Sequence, residues 1–276
     1  MSLRAGTGPH QAREIAESFG SDAERYDRAR PRYPLEMVER IRAASPGPDV
    51  LDVGCGSGIV ARQFQAAGCS VMGVDADARM ADYARRSGLE VEVATFEAWE
   101  PAGRRFDAVI AGQSWHWVEP LAGAVKAAQV LRPDGRLAVF WNVAQPPPGL
   151  AQALSAVYRR VLPDSPFSSG VLPGLDGYSD FFATAARGMR EAGMFGEPEQ
   201  WRFDWAQPYT RDEWLDRVPT FSGHSQFPPG RLDELLAGIG AAIDAVGGSF
   251  TMGYTAAVIT ARRIDAQDSF GEPQGV

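Results

Sequence analysis

An α/β fold with a doubly wound, mostly parallel sheet is what this sequence predicts, on three observations. From Val50 to Trp141 short apolar runs alternate with segments whose apolar residues recur at helical spacing. The first run, Val50-Leu51-Asp52-Val53, ends in a turn of alternating glycines, Gly54-Cys55-Gly56-Ser57-Gly58. The second, Val71 to Val74, ends in Asp75, nineteen residues past Gly56. Strands separated by helices bury both faces of a sheet, which favours parallel pairing and right-handed crossovers.

Each element follows in order. Residues 1 to about 10 are expected to be disordered, and Gln11 to Ala44 helical, broken where Arg30-Pro31-Arg32-Tyr33-Pro34 forces a turn. Leu35 to Ile41 carries apolar residues at helical spacing, and Ser45-Pro46-Gly47-Pro48 is a loop. Strands are expected over Val50–Val53, Val71–Val74, Glu90–Val93, Ala108–Gly112 and Leu137–Trp141. Helices are expected over Ile59–Ala67, Ala78–Arg86 and Leu121–Leu131, with a turn at Arg132-Pro133-Asp134-Gly135. Past Trp141 the rhythm changes. Pro146-Pro147-Pro148 opens a less regular section to about Ala186, containing a helical stretch over Leu150–Leu162 and a Gly- and Pro-rich stretch over 163–180. Arg187–Ala192, Arg211–Val218 and Arg231–Val246 read as helices, Trp201–Trp205 and Ser249–Arg262 as strands, and the tail from Asp265 as disordered.

Composition narrows the function. The 276 residues suit one large domain or a domain with a sub-domain, and the net charge of -8 with no basic block argues against a nucleic-acid partner. Lys126 is the only lysine, a bias that reads as genome composition. Cys55 and Cys69 read as free thiols of a reducing compartment. No apolar run reaches membrane-spanning length and the start lacks a signal-peptide core, so a soluble cytoplasmic protein is expected.

The glycine turn carries the chemistry. A strand, a glycine turn, a helix and a second strand ending in an acid form a unit for a close-approaching ligand, with the carboxylate placed for a ribose diol. A dinucleotide fold wants G-x-G-x-x-G, because a pyrophosphate sits on the helix N-terminus. Here the spacing is G-x-G-x-G, and Ile59 occupies the place of the third dinucleotide glycine. Asp52, two residues before Gly54, would repel a pyrophosphate but suits an ammonium group.

Val50 to Gly58 resembles the signature loop of the class I S-adenosylmethionine methyltransferases. Phe19-Gly20, Ala23, Tyr26 and Arg30-Pro31-x-Tyr33-Pro34 look like the N-terminal segment of the small-molecule members related to trans-aconitate methyltransferase. The resemblance implies a Rossmann-like seven-stranded sheet with an antiparallel last strand. It divides the chain into an N-terminal helical lid (1–48), a cofactor core (49–143), an acceptor cap insertion (144–186), the end of the sheet with a helical insertion (187–264) and a tail (265–276). It implies S-adenosylmethionine as cofactor, held by Asp52, Gly54, Cys55 and Gly56, with Asp75 on the ribose hydroxyls. Ala76 and Met80 would border the adenine, and Tyr26 and Arg30 would hold the cofactor carboxylate through an arginine fork. Core packing serves Met80 as well, and a solvated Arg30 with Tyr33 packed on its helix is the plain alternative. Thr95-Phe96-Glu97 matches the stretch after the third strand. Many relatives carry Asp where Thr95 stands, so adenine readout falls to backbone groups of Phe96 or Glu97. Gln113-Ser114-Trp115-His116-Trp117 looks like the loop that faces the methyl group, and Val130 to Leu137 resembles the structural turn into strand five.

Methyl transfer from a sulfonium is an in-line displacement in which the protein chiefly positions the acceptor and excludes water. A hydroxyl acceptor also benefits from a general base, and His116 is the favoured one, with loop orientation as its alternative role. His10 lies in the disordered start, and His224 is the weaker candidate. Trp115, Trp117 and Trp141 lie at or past strand ends, and Tyr178, Tyr33 and His224 come from segments expected to border the acceptor. Such aromatics suit a flat or sugar-like acceptor. Arg159, Arg160 and Arg187 are not clustered as a polyacid would require. The reading is O-methylation of a small-molecule hydroxyl, a sugar among the candidates. The alternatives are a carboxylate acceptor, a nicotinamide-dependent oxidoreductase, which Ile59 disfavours, and a catalytically silent cofactor-binding protein. No metal-ligating spacing occurs, and Asp107 reads as structural.

Overall fold

A computed structural model describes residues 18–163, 174–224 and 227–264. The disorder expected at both ends and the helix expected over residues 11–17 lie outside the described residues. Seven strands form one sheet in the order β3-β2-β1-β4-β5-β7-β6. They are β1 (Asp49–Val53), β2 (Ser70–Asp75), β3 (Glu90–Val93), β4 (Phe106–Gly112), β5 (Leu131–Gln145), β6 (Glu199–Thr210) and β7 (Ser249–Arg262). β1 pairs parallel with β2 and β4, and β5 parallel with β4. β7 runs antiparallel to both β5 and β6, so the last strand in sequence opposes the other six.

Helices cover the two faces. On one lie α2 (Leu35–Ala43), α3 (Ile59–Ala66) and α4 (Ala78–Arg86), packed on Val50, Ile110, Phe140 and Val258. On the other lie α5 (Pro120–Val130) and α7 (Leu175–Ala192), packed on Leu51, Val53, Val139, Trp141 and Ile259. The alternation of a strand explains this split: Leu51 and Val53 face α5, while Val50 and Asp52 face α3. A third apolar cluster joins α6 (Pro148–Val161), α8 (Arg211–Arg217) and α9 (Pro229–Asp244) to Tyr209, Met252 and Tyr254 of the long antiparallel strands. A short helix, α1 (Ala23–Ala29), starts at an Asp22 cap and precedes the proline turn.

Three elements differ from the sequence reading. β5 spans 15 residues and contains the expected turn as a bulge, since pairing shifts from Phe106 with Leu131 to Ala108 with Arg136. Asp134, with φ 62°, takes the left-handed conformation there, while Gly135 provides clearance: a Cβ would sit 2.8 Å from the Arg132 carbonyl oxygen. α7 begins at Leu175, inside the stretch read as irregular; its apolar positions Phe182, Ala185 and Met189 keep helical spacing behind the glycines. β6 extends through Pro208, which its edge position tolerates because no further strand needs the missing N–H.

Asp107 is structural, as expected. Its Oδ2 accepts from the Asp49 amide at 2.9 Å and pairs with Arg132 at 2.8 Å, tying the start of β1 to the β5 bulge. Asp107→Ala is expected to lower unfolding stability by about 1–3 kcal/mol, since a part-buried amide loses its acceptor and Arg132 keeps only Asp49 as its acid. A denaturant melt checks this.

Candidate functional site

Gly54 and Cys55 donate their amides to the Val74 carbonyl at 2.8 and 3.2 Å, which pins the glycine turn to the end of β2. Gly54 has φ 67°, and a Cβ there would press on Ser114 at 2.5 Å; Ser114 Oγ donates to the Val53 carbonyl at 2.6 Å. Gly56 has φ 54°, and a Cβ would meet nothing within 4 Å. The turn is thus closed against the protein at Gly54 and open at Gly56. The Gly56 amide donates to Asp75 Oδ2 at 2.7 Å, and the Asp77 amide to Oδ1 at 2.8 Å. Each Asp75 oxygen keeps acceptor capacity for a further donor.

A cleft with ≈ 550 Å³ of empty space, open to solvent, lies over the carboxyl ends of β1 and β4. The strap before α2 lines it with Tyr26, Arg30, Pro31 and Tyr33. The glycine turn contributes Gly54, Cys55, Gly56 and Ser57. Ile59 and Val60 of α3, Gly112 of β4 with the following Gln113, Asn142 of β5 and Arg217 of α8 complete the wall, with Asp52 beneath. Eight residues expected at a site are brought together here: Tyr26, Arg30, Tyr33, Asp52, Gly54, Cys55, Gly56 and Gln113.

Asp52 is 1 % exposed, and neither carboxylate oxygen has a hydrogen-bond partner. Burial first, then the neighbouring Asp75, push its pKa up to about 8, with the Ala61 amide a small offset. Burial also lifts Asp75 to about 6. A buried anion without a partner is costly, so Asp52 keeps its proton until a cation arrives. Arg30 is half-buried, and its desolvation lowers its pKa; its guanidinium lies 4.8 Å from the Tyr26 ring and donates to the Thr220 carbonyl. Burial drives the Tyr33 hydroxyl well above its usual range. Gln113 adopts φ 58°, unusual for a residue with a Cβ, while its side chain donates to the Asn142 carbonyl at 3.2 Å.

The remaining candidates stand elsewhere. His116 lies on a short 3₁₀ turn, Trp115–Trp117, against Trp117 and Phe181 with ring centroids at 4.7 and 5.0 Å. Its Nδ1 faces Trp141 Nε1 at 3.3 Å. An indole N–H only donates, so Nδ1 accepts and the neutral ring carries its proton on Nε2. Burial lowers this imidazole to about 4. Trp115, 3 % exposed, packs on Phe96 in the core, and Trp141, 1 % exposed, packs between Phe181 and Phe182. The expected acceptor-side placement therefore gives way to core placement for both, leaving Trp117 half-buried. His224 packs against Tyr158, Phe221 and Phe227 of the third cluster, 2.9 Å from the Tyr158 hydroxyl, and is not among the residues lining the cleft. Tyr178 is close enough to Arg30 and Arg217 for both to oppose the burial-driven rise of its pKa. Met80 is buried, Ala76 exposed and Thr95 half-buried; Phe96 is core and Glu97 accepts from the Glu119 amide at 2.8 Å. None of these five lines the described cleft.

Sequence reasoning missed Arg217 and Asn142. Arg217 follows Trp214 by three on the buried face of α8, and a charge on an apolar helical face was the available signal. Among the described residues no group of three or more His, Cys, Asp or Glu side chains is placed to hold a metal ion.

Residues 51–139 match the family model of the methyltransferase domain. A methyltransferase of Mycobacterium tuberculosis, itself uncharacterised, is 35 % identical over 151 residues, 54 % of this chain and 61 % of that protein. The malonyl-[acyl-carrier protein] O-methyltransferase of Enterobacter lignolyticus is 31 % identical over 158 residues, 55 % of this chain and 62 % of that protein. The chain thus spans about six-tenths of the length of these curated relatives. A solved structure from Anaeromyxobacter dehalogenans, named as a candidate type II methyltransferase, superposes with TM-score 0.62 at 21 % identity, covering 85 % of this chain and 98 % of that one. The [4+2]-cyclase SpnF superposes with TM-score 0.53 at 16 % identity, covering 94 % and 97 %, so one fold hosts different chemistries. The glycine turn and Asp75 thus lie in a stretch that is similar to a methyltransferase domain, for which S-adenosylmethionine is the cofactor.

The residues fit that cofactor on two observations: Asp52 is an orphaned acid at the cleft floor, and Gly56 leaves a cradle that a Cβ would enter. A bound ammonium would favour the ionised acid, so binding below pH 8 releases a proton. Calorimetry with S-adenosylhomocysteine is expected to show affinity rising from pH 6 to pH 8 in the free protein, a slope that Asp52→Asn removes. The same acid acts oppositely on stability. Its folded pKa of about 8 exceeds the ordinary 3.8, so the native state holds a proton the unfolded chain has lost, and stability falls as pH rises through that window. Asp52→Asn is therefore expected to raise the melting temperature of the ligand-free protein at pH 8.

Proposed function

We propose that the protein transfers a methyl group from S-adenosylmethionine to an oxygen of a small-molecule acceptor. The unpartnered Asp52 carboxylate at the cleft floor carries this reading, since it asks for a cation and the amino-acid end of this cofactor supplies one. Asp52 binds the ammonium, and Arg30 with Tyr26 receives the carboxylate. Asp75 accepts the ribose hydroxyls with the capacity left by its two amide bonds. Gly54 and Gly56 let the backbone approach the cofactor. Ala76, Met80, Thr95, Phe96 and Glu97 form the adenine side next to Asp75 in sequence. When bound, the cofactor supplies an already activated methyl group. The chain's own residues then orient the acceptor, and the strap carrying Tyr26, Arg30 and Tyr33 excludes water.

His116 works by position in this account. Its Nδ1 is engaged by Trp141 and its Nε2 carries a proton, so it offers a donor where a base needs a free lone pair. Turnover should therefore show no His116 titration between pH 6 and 9, because a group near 4 stays neutral throughout. A methyl-transfer rate that rises along one titration near pH 6.5, and loses it in His116→Ala, would restore the base role.

Two measurements test the reading. Calorimetry should detect S-adenosylhomocysteine binding and no NAD binding, and the reverse result ends the assignment. Asp75→Ala should weaken S-adenosylhomocysteine binding by about 2–3 kcal/mol, the range for hydrogen bonds to a charged group. Unchanged affinity would remove Asp75 from the ribose.

A further inference from the structure

The strap over the cleft, Arg30 to Pro34, is held by side chains of other elements. Pro31 and Pro34 have no N–H, and the Arg30 amide closes α1 at the Tyr26 carbonyl, so Arg32 and Tyr33 carry the remaining amides. Gln63 of α3 takes both backbone groups of Tyr33. Its Oε1 accepts from the amide at 3.0 Å, and its Nε2 donates to the carbonyl at 2.8 Å. Asn142 of β5, 6 % exposed, takes the preceding residue: its Nδ2 donates to the Arg32 carbonyl at 3.0 Å. Asn142 is fixed in turn, since its Oδ1 accepts from Trp205 Nε1 at 3.3 Å and Trp205 stacks on Tyr254 with ring centroids 4.6 Å apart.

The partners decide which way each side-chain amide points. Backbone and indole N–H groups only donate, and carbonyls only accept. Turning either amide over would set oxygen against oxygen and N–H against N–H. The Tyr33 ring adds a packing anchor, edge-on to Phe140 at 4.9 Å. Pro31 joins these anchors to Arg30 with its φ fixed by the ring, so the held backbone of Arg32 and Tyr33 sets where Arg30 enters the cleft. In the proposed function, on which this inference rests, Arg30 and Tyr26 receive the amino-acid end of the cofactor. We infer that Gln63 and Asn142 are positioning residues for that end: they act through the strap backbone, one from the helix that follows the glycine turn and one from β5. Neither role belongs to the adenine or ribose side, where Asp75 stands. Loss of either amide should therefore be felt by the amino-acid part of a ligand and not by its nucleoside part.

The test uses the full chain and two ligands that differ at that end. S-adenosylhomocysteine carries adenine, ribose, thioether and amino acid, and 5′-methylthioadenosine lacks the amino acid. Gln63→Met and Asn142→Leu nearly keep side-chain volume, remove donor and acceptor together, and add no charge. Each should raise the S-adenosylhomocysteine Kd by roughly 10- to 100-fold, the effect of leaving strap backbone groups unpaired, while the 5′-methylthioadenosine Kd changes by less than about twofold. The second Kd also reports that each variant folds. A further measurement needs no variant. The segment between the two prolines has only the Arg32 and Tyr33 amides to exchange, and exchange at Tyr33 should slow by about tenfold or more when S-adenosylhomocysteine saturates the protein. Three results would overturn the inference: equal weakening of both ligands, unchanged S-adenosylhomocysteine affinity in either variant, or a Tyr33 amide whose exchange the bound ligand leaves as it was. Absence of S-adenosylhomocysteine binding by the unaltered protein would instead strike the methyltransferase reading itself.

Discussion

A carboxylate that is buried and has no hydrogen-bond partner is the constraint around which this molecule is organised. Strand alternation places Asp52 on the α3 side of β1, one residue before the chain must leave the sheet. An apolar residue at that position would pack on α3 and cost nothing. The acid instead stays protonated near pH 7 through burial and the proximity of Asp75, and it holds a polar floor under the cleft. The glycine turn follows from the same need. Gly54 lets the backbone pass Ser114, and Gly56 leaves the floor open to a ligand.

The N-terminal segment ties the glycine turn to the opposite wall of the cleft. The Gly20 amide donates to Asp77 at 3.1 Å, next to the acid that ends β2. Asp27 of α1 accepts from Ser57 of the glycine turn at 2.8 Å and pairs with Arg62 of α3. Arg25 and Arg28 of the same helix reach Asp216 on α8, beside Arg217. Each exposed ion pair contributes little alone. Together they connect, through one seven-residue helix, the glycine turn and the helix that carries Arg217.

Much of the sheet was legible because its strands are short apolar runs bounded by glycines and prolines, and β1 to β4 fall where those runs lie. The glycine turn and its bond to Asp75 were legible for the same reason, since Asp52, Gly54, Gly56 and Asp75 sit at fixed spacing along one unit. The rest of the cleft wall was not. Trp115 and Trp141 look ligand-facing in sequence because they lie near strand ends, yet helical packing by α5 and α7 buries both. α7 hid behind Gly174, Gly177 and Gly188; the last is required because a Cβ would collide with the Pro120 carbonyl of α5. Arg217 reaches the cleft only through the three-dimensional meeting of α8 with the long strands β6 and β7, a contact that no local pattern encodes. His116 could be placed on its loop from sequence, but its hydrogen bond to Trp141, which fixes the tautomer, depends on tertiary packing.

The most direct test is the ionisation state of Asp52 with and without ligand. Carbon-13 carboxylate NMR, assigned with Asp52→Asn, would follow this one group across pH in the free protein and in the S-adenosylhomocysteine complex. The account predicts a midpoint near 8 in the free protein and an ionised group already at pH 6 in the complex. A midpoint that ligand leaves unmoved would mean that no cation meets Asp52, and the cofactor orientation built on it would be wrong.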